Sequence, residues 1–157
     1  MQASEWLTRG TVWLALSFYV AGQIVRRRSA ARWFNTLGCL AFLAHVACAF
    51  QFYHGWSHSV AYADTARQTK ELTGWNSGAG LYINYLFALV WMGDVIWSWA
   101  SYDARPPWIT WSVRGFFWFM IFNGAVVFAR GPIRGFGLLL CLALVGCWWP
   151  KRKLVRE

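Results

Sequence analysis

Acidic side chains are scarce in this sequence: six Asp and Glu stand against fifteen Lys and Arg in 157 residues, and charged residues together make up only 13%. So little charge lies far outside the norm for a soluble domain. Histidine is scarcer still, with three residues, too few for the histidine-rich array of a membrane di-iron oxygenase. No nucleophile elbow with a Ser-His-Asp set, no P-loop and no Rossmann glycine pattern occurs. Internal repeats and low-complexity segments are also missing. The four cysteines, Cys39, Cys48, Cys141 and Cys147, show no C-x-x-C spacing and lie inside apolar runs, where they read as small buried hydrophobes. No basic leader or small-residue cleavage site marks the start, so the first apolar run is expected to be retained.

What fills the chain instead is apolar and aromatic: 58% hydrophobic residues, 20% aromatic, thirteen of them tryptophan. Amphipathic indole rings concentrate where hydrocarbon meets lipid headgroups. The net charge of +9 could point to nucleic acid, but Lys and Arg fall in short clusters between apolar runs rather than along a polar face. Nucleic acid is therefore not the expected partner; the lipid bilayer and its anionic headgroups are.

Crossing a hydrocarbon core takes roughly 17 to 25 helical residues. Five runs approach that length: Trp6 to Val25, Trp33 to His54, Gly80 to Tyr102, Trp108 to Ala129, and Pro132 to Trp149. The sequence thus predicts an all-α polytopic transmembrane bundle of five spans, a single integral membrane domain over residues 1–157 with a basic tail at 150–157. Gly131 and Pro132 break the last two runs into a helical hairpin. Arg26, Arg27, Arg28, Arg32, Arg105, Lys151, Arg152, Lys153 and Arg156 then share one side, and Arg9, Arg67, Lys70, Arg130 and Arg134 the other. The positive-inside rule places the N-terminus outside and the C-terminus in the cytoplasm, as in a bacterial plasma membrane.

The long connection from Gly55 to Ala79 falls outside the membrane in this topology. Within it, SHSVAYADTARQTKEL opens on Ser57, a good N-cap, and Gly74 can end the helix. A short helix is expected there, lying along the interface between spans two and three, with Trp56 and Trp75 anchoring its ends.

An ionisable group inside a span is expensive enough to mark function or structure. His45, Asp94 and Arg114 qualify, with Asn84 and Asn123 as intramembrane amides. Asp94 and Arg114 sit at nearly matching depths on consecutive spans and are expected to pair, as a register-fixing ion pair or as a gate or proton relay. Asn84, Phe87, Trp91, Asp94 and Ser98 follow a helical stripe expected to face the bundle interior. His45 is expected to bond a backbone carbonyl or Asn123. His54 and His58 are four residues apart, the spacing that brings two imidazoles to one helical face, and with Asp64 they could hold a transition metal.

Three functions fit these residues. The first is an accessory or ligand-binding subunit of a membrane complex, contacting other membrane subunits or further copies of itself. The second is a metal-dependent or redox protein with its site at the outer mouth around His54 and His58. The third is an oligomeric transporter or channel using Asp94, Arg114 and Asn84, since a chain this short would need partners to enclose a path.

Overall fold

The computed structural model describes residues 2–25, 27–100, 105–129 and 131–148, and every regular element among them is helical. Helix α1 spans Gln2–Ile24 and α2 spans Arg28–Ala49, which runs on into a π-helical turn at Phe50–His54. Helix α3 covers His58–Thr73, α4 Gly80–Ala100 and α5 Pro107–Phe122, followed by a second π turn at Asn123–Val127; α6 covers Pro132–Trp148. Arg26, Tyr102, Arg130, Trp149 and the basic tail residues Lys151, Arg152, Lys153 and Arg156 lie outside the described residues.

The ends of these helices follow from local chemistry. The Ser57 hydroxyl accepts from the Val60 N–H at 3.4 Å, which caps α3, and Gly74 closes it in the left-handed region at φ 79°. Both limits are those the sequence predicts. Along α3, Arg67 bonds Asp64 and Glu71 one turn to either side. The bond and charge of Asp64, then those of Glu71, hold the exposed Arg67 guanidinium above its ordinary pKa. Pro107 and Pro132 each stand at the first position of their helix, where the missing N–H would have no intrahelical partner. Gly131 turns the chain just before α6 at φ 65°, so α5 and α6 are separate helices, as the Gly-Pro pair predicts.

Two compact units are formed, Met1–Phe117 and Trp118–Glu157. In the first, α1 and α2 pack closely because Gly38 brings α2 against α1 and α4: a Cβ there would lie 2.9 Å from Trp91 Cζ2 and 3.2 Å from the Ala15 carbonyl oxygen. Around that contact the core is aromatic. Phe117 lies 4.6 Å from Tyr19, 4.8 Å from Phe87 and 5.0 Å from Trp91 between ring centroids, and Phe42 caps Phe87 at 4.9 Å. Trp91 is 1% exposed and Phe117 0%, so these rings are shielded from both water and lipid.

In the second unit the π turn at Asn123–Val127 packs against α6, and Ala125, Cys141 and Leu144 are buried there. The Trp118 indole N–H donates to the Cys141 carbonyl at 3.4 Å. Gly137 makes the approach close, since a Cβ there would overlap the Ala125 carbonyl. Gly137→Ala is therefore expected to cost about 1–3 kcal/mol through overpacking. A lower thermal unfolding midpoint of the purified variant in detergent checks it, and an unchanged midpoint would argue against the close approach.

Two helices are long and apolar enough to cross a membrane: residues 28–54, counting the π turn with α2, and residues 80–100 in α4. This is fewer than the five expected, for identifiable reasons. Helix α1 has the length but carries Glu5 and Arg9, and α5 carries Arg114 among its aromatic residues. The apolar stretch of α6, Arg134–Trp148, is shorter than a span requires. Only 17% of the residues in the apolar window of each are buried, so most of their apolar surface lies outside the core. Leu37, Leu40, Leu86, Leu89 and Ile96 all point outward.

Candidate functional site

Helix α4 carries the ionisable residue that its sequence places deepest in the third apolar run. Its stripe is partly as expected: Phe87, Trp91 and Ser98 are buried and Asp94 is half-buried, whereas Asn84 is exposed. Both carboxylate oxygens of Asp94 have donors. Asn35 on α2 donates from Nδ2 to Oδ2 at 2.8 Å, and Arg105, just before α5, donates from Nη1 to Oδ1. The Asn35 carbonyl in turn accepts the Trp91 indole N–H at 2.9 Å. The amide is thus a bridge, accepting a hydrogen bond from the core tryptophan on one side and donating one to the carboxylate on the other.

The expected pair of Asp94 with Arg114 is corrected here. Arg105 forms the ion pair, with both side chains 14% exposed, while the Arg114 guanidinium carbon lies 5.3 Å from the ring centre of Trp111 on its own helix. Depth pointed to Arg114, but depth does not decide the pairing. Arg105 reaches Asp94 from just before α5, and its guanidinium rests 5.6 Å from the Trp97 ring centre. Nearby, the Trp99 indole N–H donates to the Thr36 hydroxyl at 3.0 Å, and Arg32 sits 5.9 Å from the Trp99 ring centre. Asn35, Thr36 and Arg105 had no place among the sequence candidates. Asn35 and Thr36 lie near the polar start of α2, and Arg105 reads as a loop charge, so none stood out as intramembrane.

Chemically, this cluster is a clamp. A carboxylate with both oxygens engaged, one by a guanidinium and one by an amide, fixes the register of α2, α4 and the segment entering α5. Ordinary hydrogen bonds to charged groups contribute about 1.5–3 kcal/mol each in such settings.

At the other end of α2 the two histidines part company. Gly55 and Trp56 both adopt left-handed backbone, at φ 53° and 58°, so the chain reverses between His54 and His58. The i, i+4 argument holds only along one continuous helix, and this reversal ends it. His54 closes the π turn with its ring 5.6 Å from Phe50, and its buried Nδ1 has no hydrogen-bond partner. His58 opens α3, where Nδ1 shares a hydrogen bond with the Tyr85 hydroxyl at 3.1 Å and Nε2 with the Tyr82 hydroxyl at 3.4 Å. Asp64 is taken up by Arg67 and by Gln68, whose Nε2 donates to it at 2.9 Å. The expected metal set of His54, His58 and Asp64 is not assembled, and no group of three or more His, Cys, Asp and Glu placed to hold a metal ion occurs among the described residues.

The remaining candidates serve packing. His45 donates from Nδ1 to the Thr8 carbonyl at 2.8 Å, which fixes its tautomer and ties α2 to α1. This is the backbone-carbonyl alternative of the sequence reading. Asn123 donates to the Phe119 carbonyl of its own helix at 2.9 Å, at the entry to the π turn. Cys39 and Cys141 are buried and Cys48 half-buried, as expected for small hydrophobes, but Cys147 is exposed.

The surface of the first unit offers two open grooves. One, of about 310 Å³, is lined by Gly93, Ile96, Trp97 and Ala100; the other, of about 270 Å³, by Leu86, Val90, Ser112, Val113 and Phe116. Comparison with known protein families, with characterised proteins and with solved structures finds no match.

Proposed function

We propose that this chain is a five-span integral membrane protein, N-terminus outside and C-terminus in the cytoplasm of a bacterial plasma membrane, serving as an accessory or ligand-binding subunit of a membrane complex. One contrast carries the reading. Three of the side chains able to do chemistry are held by the chain itself: Asp94 by Asn35 and Arg105, His45 by the Thr8 carbonyl, and the exposed His58 by two tyrosines. The apolar side chains of α2 and α4 are turned outward, where lipid or a neighbouring helix would cover them. In this topology α3 lies along the outer interface, with the exposed indoles of Trp56 and Trp75 as its anchors.

The transport reading needs Asp94, Arg114 and Asn84 along one path, yet Asp94 is closed by Arg105 and Asn84 faces away from the core. The subunit reading needs only faces. It is tested by placing photo-crosslinking residues at Leu40 and Leu89, which are exposed on α2 and α4, and irradiating native membranes. A polypeptide adduct of one defined mass, a second copy or a distinct chain, is expected at one or both positions. Lipid adducts alone would overturn the reading.

A further inference from the structure

We infer that His58, Tyr85 and Tyr82 form an electron-donor site, in which Tyr85 gives one electron to an outer-sphere one-electron oxidant while its phenolic proton passes to His58. This activity goes beyond the subunit reading and stands on the geometry where α3 meets α4.

His58 opens α3, and α4 presents Tyr82 and Tyr85 to it from positions i and i+3, which share one helical face. The Tyr85 hydroxyl lies 3.1 Å from Nδ1 and the Tyr82 hydroxyl 3.4 Å from Nε2. A neutral imidazole has one donor and one acceptor nitrogen, so one phenol donates to the ring while the other accepts from it. The shorter contact is assigned as Tyr85 O–H donating to Nδ1, which leaves Nε2–H donating to the Tyr82 oxygen. A phenol that loses an electron becomes strongly acidic, and the loss is easier when a base already holds its hydrogen bond.

The step balances on these residues and the oxidant. The oxidant gains one electron, the Tyr85 O–H bond breaks, and the proton moves to Nδ1, leaving a neutral tyrosyl radical beside an imidazolium. Both N–H groups of that imidazolium then face an oxygen, Nδ1–H that of Tyr85 and Nε2–H that of Tyr82, so no side chain has to move. His58 is exposed, and water solvates the new charge. Asp64, the carboxylate nearest in sequence, is held by Arg67 and Gln68, which leaves the imidazole as the base. A route to the surface is built from the same residue type. Tyr85 is half-buried, its ring centre 6.3 Å from that of Tyr82, which is 6.1 Å from that of Tyr62. Tyr82 and Tyr62 are 54% and 38% exposed, so a soluble oxidant meets the outer rings of a phenol chain whose inner member is paired with the base.

The test uses the full chain in detergent micelles and flash-generated tris(bipyridyl)ruthenium(III), a one-electron oxidant that accepts no hydrogen. Tyrosyl radical is followed by its optical absorption and its electron paramagnetic resonance signal. A fast phase of radical formation is expected in the native chain and is expected to vanish in Tyr85→Phe. Tyr53→Phe, at an exposed phenol outside the cluster, is expected to keep it. His58→Ala is expected to slow the fast phase about a hundredfold, the lower end of what a positioned base contributes, and free imidazole in the buffer is expected to restore it. The native chain supplies a check that needs no variant: the fast phase is expected to slow in deuterium oxide, because the O–H bond breaks as the electron leaves. An unchanged fast phase in Tyr85→Phe or His58→Ala, a slowing in His58→Ala that imidazole does not reverse, or equal native rates in water and deuterium oxide would overturn the inference.

Discussion

Replacing Asp94 with alanine is expected to lower the stability of the helical bundle by about 3–5 kcal/mol, the range for removing one partner from a buried ion pair. The reason lies in what remains. Arg105, 14% exposed, would keep its charge with no carboxylate beside it, and the Asn35 amide would lose its acceptor. Arg105→Ala alone should cost a comparable amount, because the carboxylate then stands unpaired. The double variant should cost clearly less than the two single losses added, since removing both charges leaves nothing uncompensated. Arg114→Ala supplies the comparison: its effect should add to that of Asp94→Ala, because both Asp94 carboxylate oxygens are bonded by Asn35 and Arg105. Reversible unfolding in mixed detergent micelles measures all four. Additivity of Asp94 with Arg105 and strong coupling of Asp94 with Arg114 would restore the pair read from the sequence.

Trp91→Ala should be of similar size, about 3–5 kcal/mol, for a different reason. The Trp91 ring is at the centre of the aromatic core, within 5.0 Å of Phe117, 5.3 Å of Phe87 and 5.5 Å of Phe42 between centroids. Its truncation leaves a cavity that rigid neighbouring rings cannot close. Trp91→Phe separates the two things this residue does, keeping most of the ring contacts while deleting the indole donor to Asn35. That variant should lose about 1 kcal/mol, the ordinary net worth of one hydrogen bond, together with a smaller packing loss. If Trp91→Phe were as damaging as Trp91→Ala, the hydrogen bond to the clamp rather than the packing would dominate.

The limits of what the sequence can convey are visible at particular residues. Helix α3 was legible because its signals are local: Ser57 and Gly74 set its ends through their own backbone and side-chain chemistry. The inward stripe of α4 was legible from Phe87 to Ser98 because helical period alone decides which residues share a face. Asn84, one turn further out, is exposed, since a stripe stays buried only as far as neighbouring helices cover it. The partner of Asp94 was not legible. Matching depth pointed to Arg114, whereas the donor is Arg105, which in the sequence reads as a loop charge before α5.

The histidine spacing failed at a single point. An i, i+4 pair presumes helical backbone between its members, and Gly55 with the Ser57 cap marked where it would end. Trp56 in the left-handed region could not have been foreseen, because a bulky residue reaches that backbone only when its surroundings hold it. Here its indole N–H donates to Gln51 at 2.8 Å and its ring lies 5.9 Å from Phe50. The π turns at Phe50–His54 and Asn123–Val127 likewise have no sequence signature of their own.

The most direct test of the account is the sidedness of the loops. Single cysteines are introduced at Ser77, in the α3 to α4 connection, and at Arg27, between α1 and α2, in a background lacking Cys39, Cys48, Cys141 and Cys147. A membrane-impermeant maleimide applied to intact cells should label Ser77→Cys at once and Arg27→Cys only after the membrane is permeabilised. Equal labelling of both positions in intact cells would contradict the passage of α2 through the membrane.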